Sequence, residues 1–156
     1  MNSALKMMLA EDDSNDVFLI QQALKKADVL IRLNAVPDGL EALAYLKGEG
    51  AYADRAACPF PDVLLLDLNM PGMNGFEVLT WVRQDARYRR LIVHVFSASS
   101  REVDVERAYD LGANSYLVKP GRLDELVALV LAMHEWHRFT ALPRMADDPS
   151  ALAQAH

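Results

Sequence analysis

The chain of 156 residues has one cysteine, Cys58, so no intrachain disulfide can form and a structural zinc site built on thiolates is excluded. Cys58 reads as a loop thiol with no assigned role. Basic residues are outnumbered, with 16 Lys and Arg against 22 Asp and Glu and a formal charge of −6. Phosphate neutralisation needs clustered Lys and Arg, so the chain is not expected to carry a nucleic-acid surface. Long apolar runs are missing too. The longest, Leu126 to Met133, falls far short of the ~18 to 20 residues that cross a bilayer, so no membrane span is expected. The N-terminal MNSALKMMLAEDD passes from a short apolar run straight into three acids, unlike a signal peptide, and the expected location is cytoplasmic. Internal repeats and low-complexity tracts are absent. What remains, 52% hydrophobic and 24% charged, is the composition of one ordinary globular domain with enough length to bury a core.

Pro61 to Gly75, PDVLLLDLNMPGMNG, organises the rest. Val63 to Leu66 is the unbroken apolar run of a strand covered on both faces of a parallel sheet, and it ends on Asp67. In open α/β sheets ligands bind at the strands' carboxyl ends, so Asp67 occupies the most useful position such a fold offers. An Asp ending a strand is by itself more often a turn former than a nucleophile. Pro71 and Gly72 predict a turn, and Asn74 with Glu77 three residues on predicts a capped helix over about 75–84 that buries Phe76, Leu79 and Val82.

The same pattern recurs along the chain. Lys6 to Ala10 is a strand ending on Glu11, Asp12 and Asp13, followed by a helix with the stripe Val17, Ile20, Leu24 and Ala27. Leu30 to Val36 alternates partly and is expected at or near a sheet edge. Asp38 and Glu41 cap a helix that stops at Gly48. Gly48 to Pro61 has no periodicity and reads as a long loop. Leu91 to Phe96 is a strand ending on Ser97, and Ser99 with Glu102 predicts a capping box for a helix to about Leu111, stopped by Gly112. Ser115 to Val118 is the last strand, ending on Lys119-Pro120, and Arg122 to about Arg138 the last helix. Five alternations predict a doubly wound α/β fold with a five-stranded parallel sheet. Thr140 to His156 lacks a periodic stripe and reads as a mobile tail, making residues 1–139 the domain; the 18 residues after Arg138 are too few for an effector domain.

Parallel strands bring Glu11, Asp12, Asp67, Ser97 and Lys119 to one edge. Crowded carboxylates repel unless a cation sits among them, and an all-oxygen donor set suits Mg²⁺. Asp67 could then serve as nucleophile toward a phosphoryl group, with Lys119 and Ser97 donating to its oxygens.

These landmarks, in this order, resemble those of bacterial response-regulator receiver domains, the CheY-like superfamily, over roughly Leu5 to Arg138. The resemblance implies the flavodoxin-like (βα)5 fold with strand order 2-1-3-4-5. It implies Asp67 as phosphoacceptor, Glu11 and Asp12 as the acidic pair, and the Asn69 backbone carbonyl completing a Mg²⁺ shell with Asp67. Ser97 and Tyr116 match the switch residues, Lys119 matches the family lysine, and the Lys119-Pro120 peptide would be cis. Asp13 lengthens the acidic run, so the pair could be Asp12 and Asp13, but the strand register favours Glu11 and Asp12. The implied function is a stand-alone response regulator of a two-component phosphorelay. It would take its phosphoryl group from a sensor histidine kinase and hydrolyse it slowly without being a dedicated enzyme. The long loop looks like that of regulators partnering phytochrome-type kinases, and the downstream partner would be a protein or a phosphotransfer protein.

Two rivals compete. An aspartyl-nucleophile phosphatase of the haloacid-dehalogenase kind would need an acid two residues after the nucleophile, where Asn69 cannot protonate a leaving group, and its nucleophile follows the first strand. A degenerate receiver acting as a scaffold would not need the intact acids and lysine. His94 reads as a core histidine, and His134 and His137 lack a third metal ligand. Trp81 and Trp136 read as packing residues. The last helix spreads Leu123, Leu126, Val127, Leu129, Val130, Leu131, Met133 and Trp136 over an arc of roughly 220°, more than one sheet face needs. A homodimer through that helix is therefore expected, unless the tail covers it with Leu142 and Met145.

Overall fold

The computed structural model describes residues 3–145. β1 (Leu5–Ala10), β2 (Ile31–Val36), β3 (Val63–Leu66), β4 (Ile92–Ser97) and β5 (Ser115–Val118) form one parallel sheet in the order β2-β1-β3-β4-β5. The helices are α1 (Ser14–Ala27), α2 (Gly39–Lys47), α3 (Gly75–Gln84), α4 (Glu102–Asp110) and α5 (Leu123–Phe139). Each strand faces two hydrophobic layers. Leu5, Met7, Leu9, Val63, Leu65 and Phe96 pack with Ile20 and Ala23 of α1 and with Leu126, Val130 and Met133 of α5. Met8, Ala10, Leu64, Leu66, Val93 and Val95 pack with α2, α3 and Ala108 of α4. The alternation along a strand that distributes residues to two faces here sends both sets into cores, which is why β3 reads as an unbroken apolar run and β1 as one interrupted only by the half-buried Lys6. β2, on the edge, has only Val36 buried, in keeping with its partial alternation.

The helix ends follow local chemistry. Asp13, Asp38 and Asn74 each cap a helix by accepting a backbone N–H, from Asn15, Glu41 and Glu77 respectively. α2 ends at Gly48 with φ 68°, a left-handed conformation that glycine adopts without strain. The Ser99–Glu102 capping box does not form. Arg101 is the N-cap of α4 without a side-chain bond, and the Ser99 hydroxyl donates instead to Asp104 at 2.6 Å while accepting the Arg101 N–H. The Lys119-Pro120 peptide is trans, contrary to the expectation drawn from the resemblance. Trans is the intrinsic preference of such a bond, by about 0.5–1 kcal/mol.

The Gly48–Pro61 segment is fastened rather than loose. Arg55 donates to the carbonyls of Tyr45, Leu46 and Cys58, satisfying two acceptors at the α2 C-terminus, and Arg32 on β2 donates to Ala56 and Ala57. The Tyr45 hydroxyl reaches Pro59. Thr140 to Met145 carries no helix or strand, yet Met145 is buried with the α2–α3–α4 layer, on the opposite side of the sheet from α5. Met145 therefore does not cover the α5 arc. The rest of the expected tail lies outside the described residues. On α5, Leu126, Val130 and Met133 are buried, Leu123, Val127, Leu129 and Trp136 half-buried, and Leu131 is 41% exposed.

Candidate functional site

β1, β3, β4 and β5 run in the same direction, so their carboxyl ends deliver Glu11, Asp67, Ser97 and Lys119 to one edge, as the sequence predicts. Backbone bonds fix the spacing: Asp67 N–H donates to Ala10, Glu11 N–H to Val36, and Lys119 N–H to Ser97. Glu11, Asp67 and Ser97 are buried and Asp12 is exposed. One carboxylate oxygen from each of Glu11, Asp12 and Asp67 lies within 4.8 Å of the others. Asp13 is engaged as the cap of α1, which separates it from this group. Asn69 is exposed, and its N–H donates to the Asp67 carboxylate over 3.4 Å.

The turn after Asp67 closes so tightly that residue 75 must be glycine. A Cβ there would lie 2.2 Å from the Asp67 carbonyl oxygen and 2.8 Å from Leu68 Cα, both backbone atoms that cannot move aside. The Gly75 N–H donates to the Leu68 carbonyl, and Asn74 then starts α3. The helix is thereby anchored against the strand end that presents Asp67.

Lys119 Nζ donates to Glu11 at 2.6 Å and to Asp16 at 2.8 Å, and lies 3.5 Å from Asp67. Burial alone would lower the Lys119 pKa, but the hydrogen bonds to Asp16 and Glu11 and the charge of Asp67 reverse this and raise it, so the ammonium stays charged. Burial pushes Glu11 up to about 7, and the neighbouring Asp67 charge acts in the same direction, against the lowering effect of Lys119 and of the Asp13 N–H. A single ammonium thus leaves the four carboxylates Glu11, Asp12, Asp16 and Asp67 undercompensated. An all-oxygen, electron-rich donor set with two buried members and a free outward side fits a hard divalent cation.

At the β4 end, the Ser97 hydroxyl accepts the Ser99 N–H over 3.2 Å. Tyr116 is half-buried, and its hydroxyl donates to the Ser99 carbonyl. The two expected switch residues thus meet at one loop. Asp16 is the site residue that sequence reasoning missed. The only signal for it was its place in the first turn of a helix that begins beside the acidic run.

His94 contacts the Ser115 hydroxyl and stands edge-on to Trp136, as a packed histidine. Among the described residues, the group of Glu11, Asp12 and Asp67 alone brings three potential metal ligands together, and no helix is long and apolar enough to cross a membrane.

A doubly wound sheet with paired acids, a strand-end aspartate and a facing lysine is the arrangement of a receiver domain, and comparison with known proteins agrees. The sequence matches the response regulator receiver domain over residues 7–131, and the chain belongs to that family. It is 36% identical to the response regulator Rcp1 of Synechocystis over 138 residues, 88% of this chain and 92% of that protein. Among solved structures it resembles the phosphorylated cyanobacterial phytochrome response regulator RcpA, with a TM-score of 0.81 and 39% identity over 91% of this chain and 100% of that one. It also resembles the Mn²⁺-bound form of Rcp1, with a TM-score of 0.77 and 35% identity over 90% of this chain and 99% of that one. These relatives are response regulators.

Proposed function

We propose that the protein is the receiver of a two-component phosphorelay, accepting a phosphoryl group on Asp67 from a sensor histidine kinase of the phytochrome type. The observation that carries this reading is the convergence of Glu11, Asp12, Asp67 and Lys119 around a buried strand-end carboxylate. An Asp67 oxygen attacks phosphorus, the P–N bond to the kinase imidazole breaks with its electron pair going to nitrogen, and an acyl phosphate forms. Mg²⁺ held by Glu11, Asp12, Asp67 and the Asn69 backbone carbonyl would neutralise charge on the phosphoryl oxygens. Lys119 contributes a fixed positive charge, and Ser97, at the neighbouring strand end, a hydroxyl that can donate to the phosphoryl group. Asn69 has no acidic proton to give a leaving group, so the site favours acceptance of the phosphoryl group over rapid turnover as a phosphatase.

The phosphorylated form then alters binding to a downstream protein or a phosphotransfer protein through Ser97 and Tyr116. The half-buried and exposed apolar residues of α5, beside the β5 edge, form the surface for a homodimer. Incubation with acetyl phosphate and Mg²⁺ tests the reading: intact-mass measurement should show one added phosphoryl group, absent when EDTA removes the metal. Equal labelling with and without a divalent metal would contradict it.

A further inference from the structure

Lys119 is held by three carboxylates, of which Glu11 and Asp67 belong to the group that can take a cation. Asp16 does not. It reaches the ammonium because Asp13 caps α1, placing Asp16 in the helix's first turn, over the site. Its side chain is 32% exposed, against 1% for Glu11, so Asp16 remains partly hydrated while Glu11 is sealed in. A cation drawing on Glu11 and Asp67 weakens two of the three contacts to Lys119 and leaves the third. An ammonium has three N–H donors, so one can stay on Asp16 while the others turn toward Asp67.

We propose that Asp16 is a positioning residue for phosphoryl transfer, holding Lys119 on the α1 side of the site so that its remaining donors face the phosphoryl group on Asp67. Without Asp16 the ammonium settles onto Glu11 and Asp67, the two carboxylates that the cation and the phosphoryl group require. Lys119 then competes with the metal, and the nucleophile is occupied by an ion pair. The inference rests on the reading of Asp67 as phosphoacceptor.

The test compares wild type, Asp16→Ala, Asp16→Glu, Lys119→Met and the Asp16→Ala/Lys119→Met double variant. Each is labelled with acetyl phosphate at varied Mg²⁺, and Mg²⁺ affinity is measured separately by calorimetry. Asp16→Ala should slow labelling roughly fivefold, as expected of one partly exposed charge-assisted contact, and weaken Mg²⁺ binding in the same direction. Asp16→Glu should recover most of the rate. In the Lys119→Met background, removal of Asp16 should change the labelling rate less than twofold, because its effect runs through the ammonium. An unchanged rate and Mg²⁺ affinity in Asp16→Ala, with wild type labelled normally, would overturn this inference alone. A full loss in the Lys119→Met background would overturn it equally, by showing that Asp16 acts without Lys119. Failure of wild type to label would remove the functional reading itself, and this inference with it.

Discussion

The Tyr116 hydroxyl donates to the Ser99 carbonyl over 2.8 Å, so the β5 aromatic holds the loop that follows Ser97, whose hydroxyl accepts the Ser99 N–H. On the proposed function, movement of Ser97 toward a phosphoryl oxygen would pull on the Ser99 N–H that the hydroxyl now accepts, and thereby on the tyrosine's anchor. Ser97→Ala should leave Asp67 labelling intact while weakening the phosphorylation-dependent gain in partner binding. Tyr116→Phe removes one neutral hydrogen bond, worth about 0.5–1.5 kcal/mol, and should speed amide exchange at Ser99 to Arg101. Partner binding that responds to phosphorylation as strongly in Ser97→Ala as in wild type would exclude this route.

Arg55 joins three carbonyls, those of Tyr45 and Leu46 near the end of α2 and that of Cys58 in the following loop. Arg55→Ala should destabilise the fold by about 1–3 kcal/mol, because the Leu46 carbonyl at the end of α2 loses its guanidinium partner while that of Tyr45 keeps only the Gly48 N–H. It should also expose 48–61 to limited proteolysis. Urea unfolding measures the first effect; an unchanged midpoint would mean the clasp contributes nothing.

His94 gives a pH dependence of known sign. Burial lowers its pKa below the ordinary 6.5, so the unfolded chain binds the proton more readily. Stability therefore falls as pH drops below 6.5, until the folded state titrates as well. Glu11 acts oppositely without metal: its folded pKa of about 7 exceeds the ordinary 4.5, so it stabilises the fold as pH falls from 7 toward 4.5. The difference between wild type and His94→Gln isolates the histidine, and the variant should lose less stability between pH 7 and 5.5. Parallel curves for the two proteins would refute the assignment.

Leu131 is 41% exposed on α5, whereas Trp136 packs on His94 and Leu129 is half-buried. Leu131→Glu therefore tests dimerisation with the least damage to the fold, and Leu129→Glu or Trp136→Glu tests it more severely. Light scattering should report twice the monomer mass for wild type and a lower mass for Leu131→Glu. A strict monomer at high micromolar concentration, phosphorylated or not, would remove the dimer.

The strands were legible because burial on both faces writes an unbroken apolar run, as in Val63 to Leu66, and parallel direction then forces Glu11, Asp67, Ser97 and Lys119 together. Caps at Asp38 and Asn74 were legible because the bonded residues are three apart. Ser99 has that same spacing, but Asp104 and the Arg101 N–H take up its hydroxyl, and the helix starts later. Asp16 and Arg55 escaped notice for a common reason. Each finds its partners only after the chain folds, Asp16 across the sheet edge to the lysine that follows β5 and Arg55 on main-chain carbonyls that carry no residue signature. Met145 is a single buried contact in a stretch without periodicity.

On the proposed function, Asp67, the buried carboxylate 3.5 Å from Lys119, carries the phosphoryl group. Borohydride reduction converts an acyl phosphate to an alcohol, so labelled protein can be reduced, digested and mapped by mass. The account predicts homoserine at position 67, dependent on phosphodonor and Mg²⁺ and lost in Asp67→Asn. Reduction at Asp12, Asp13 or any other carboxylate, or undiminished labelling of Asp67→Asn, would contradict it.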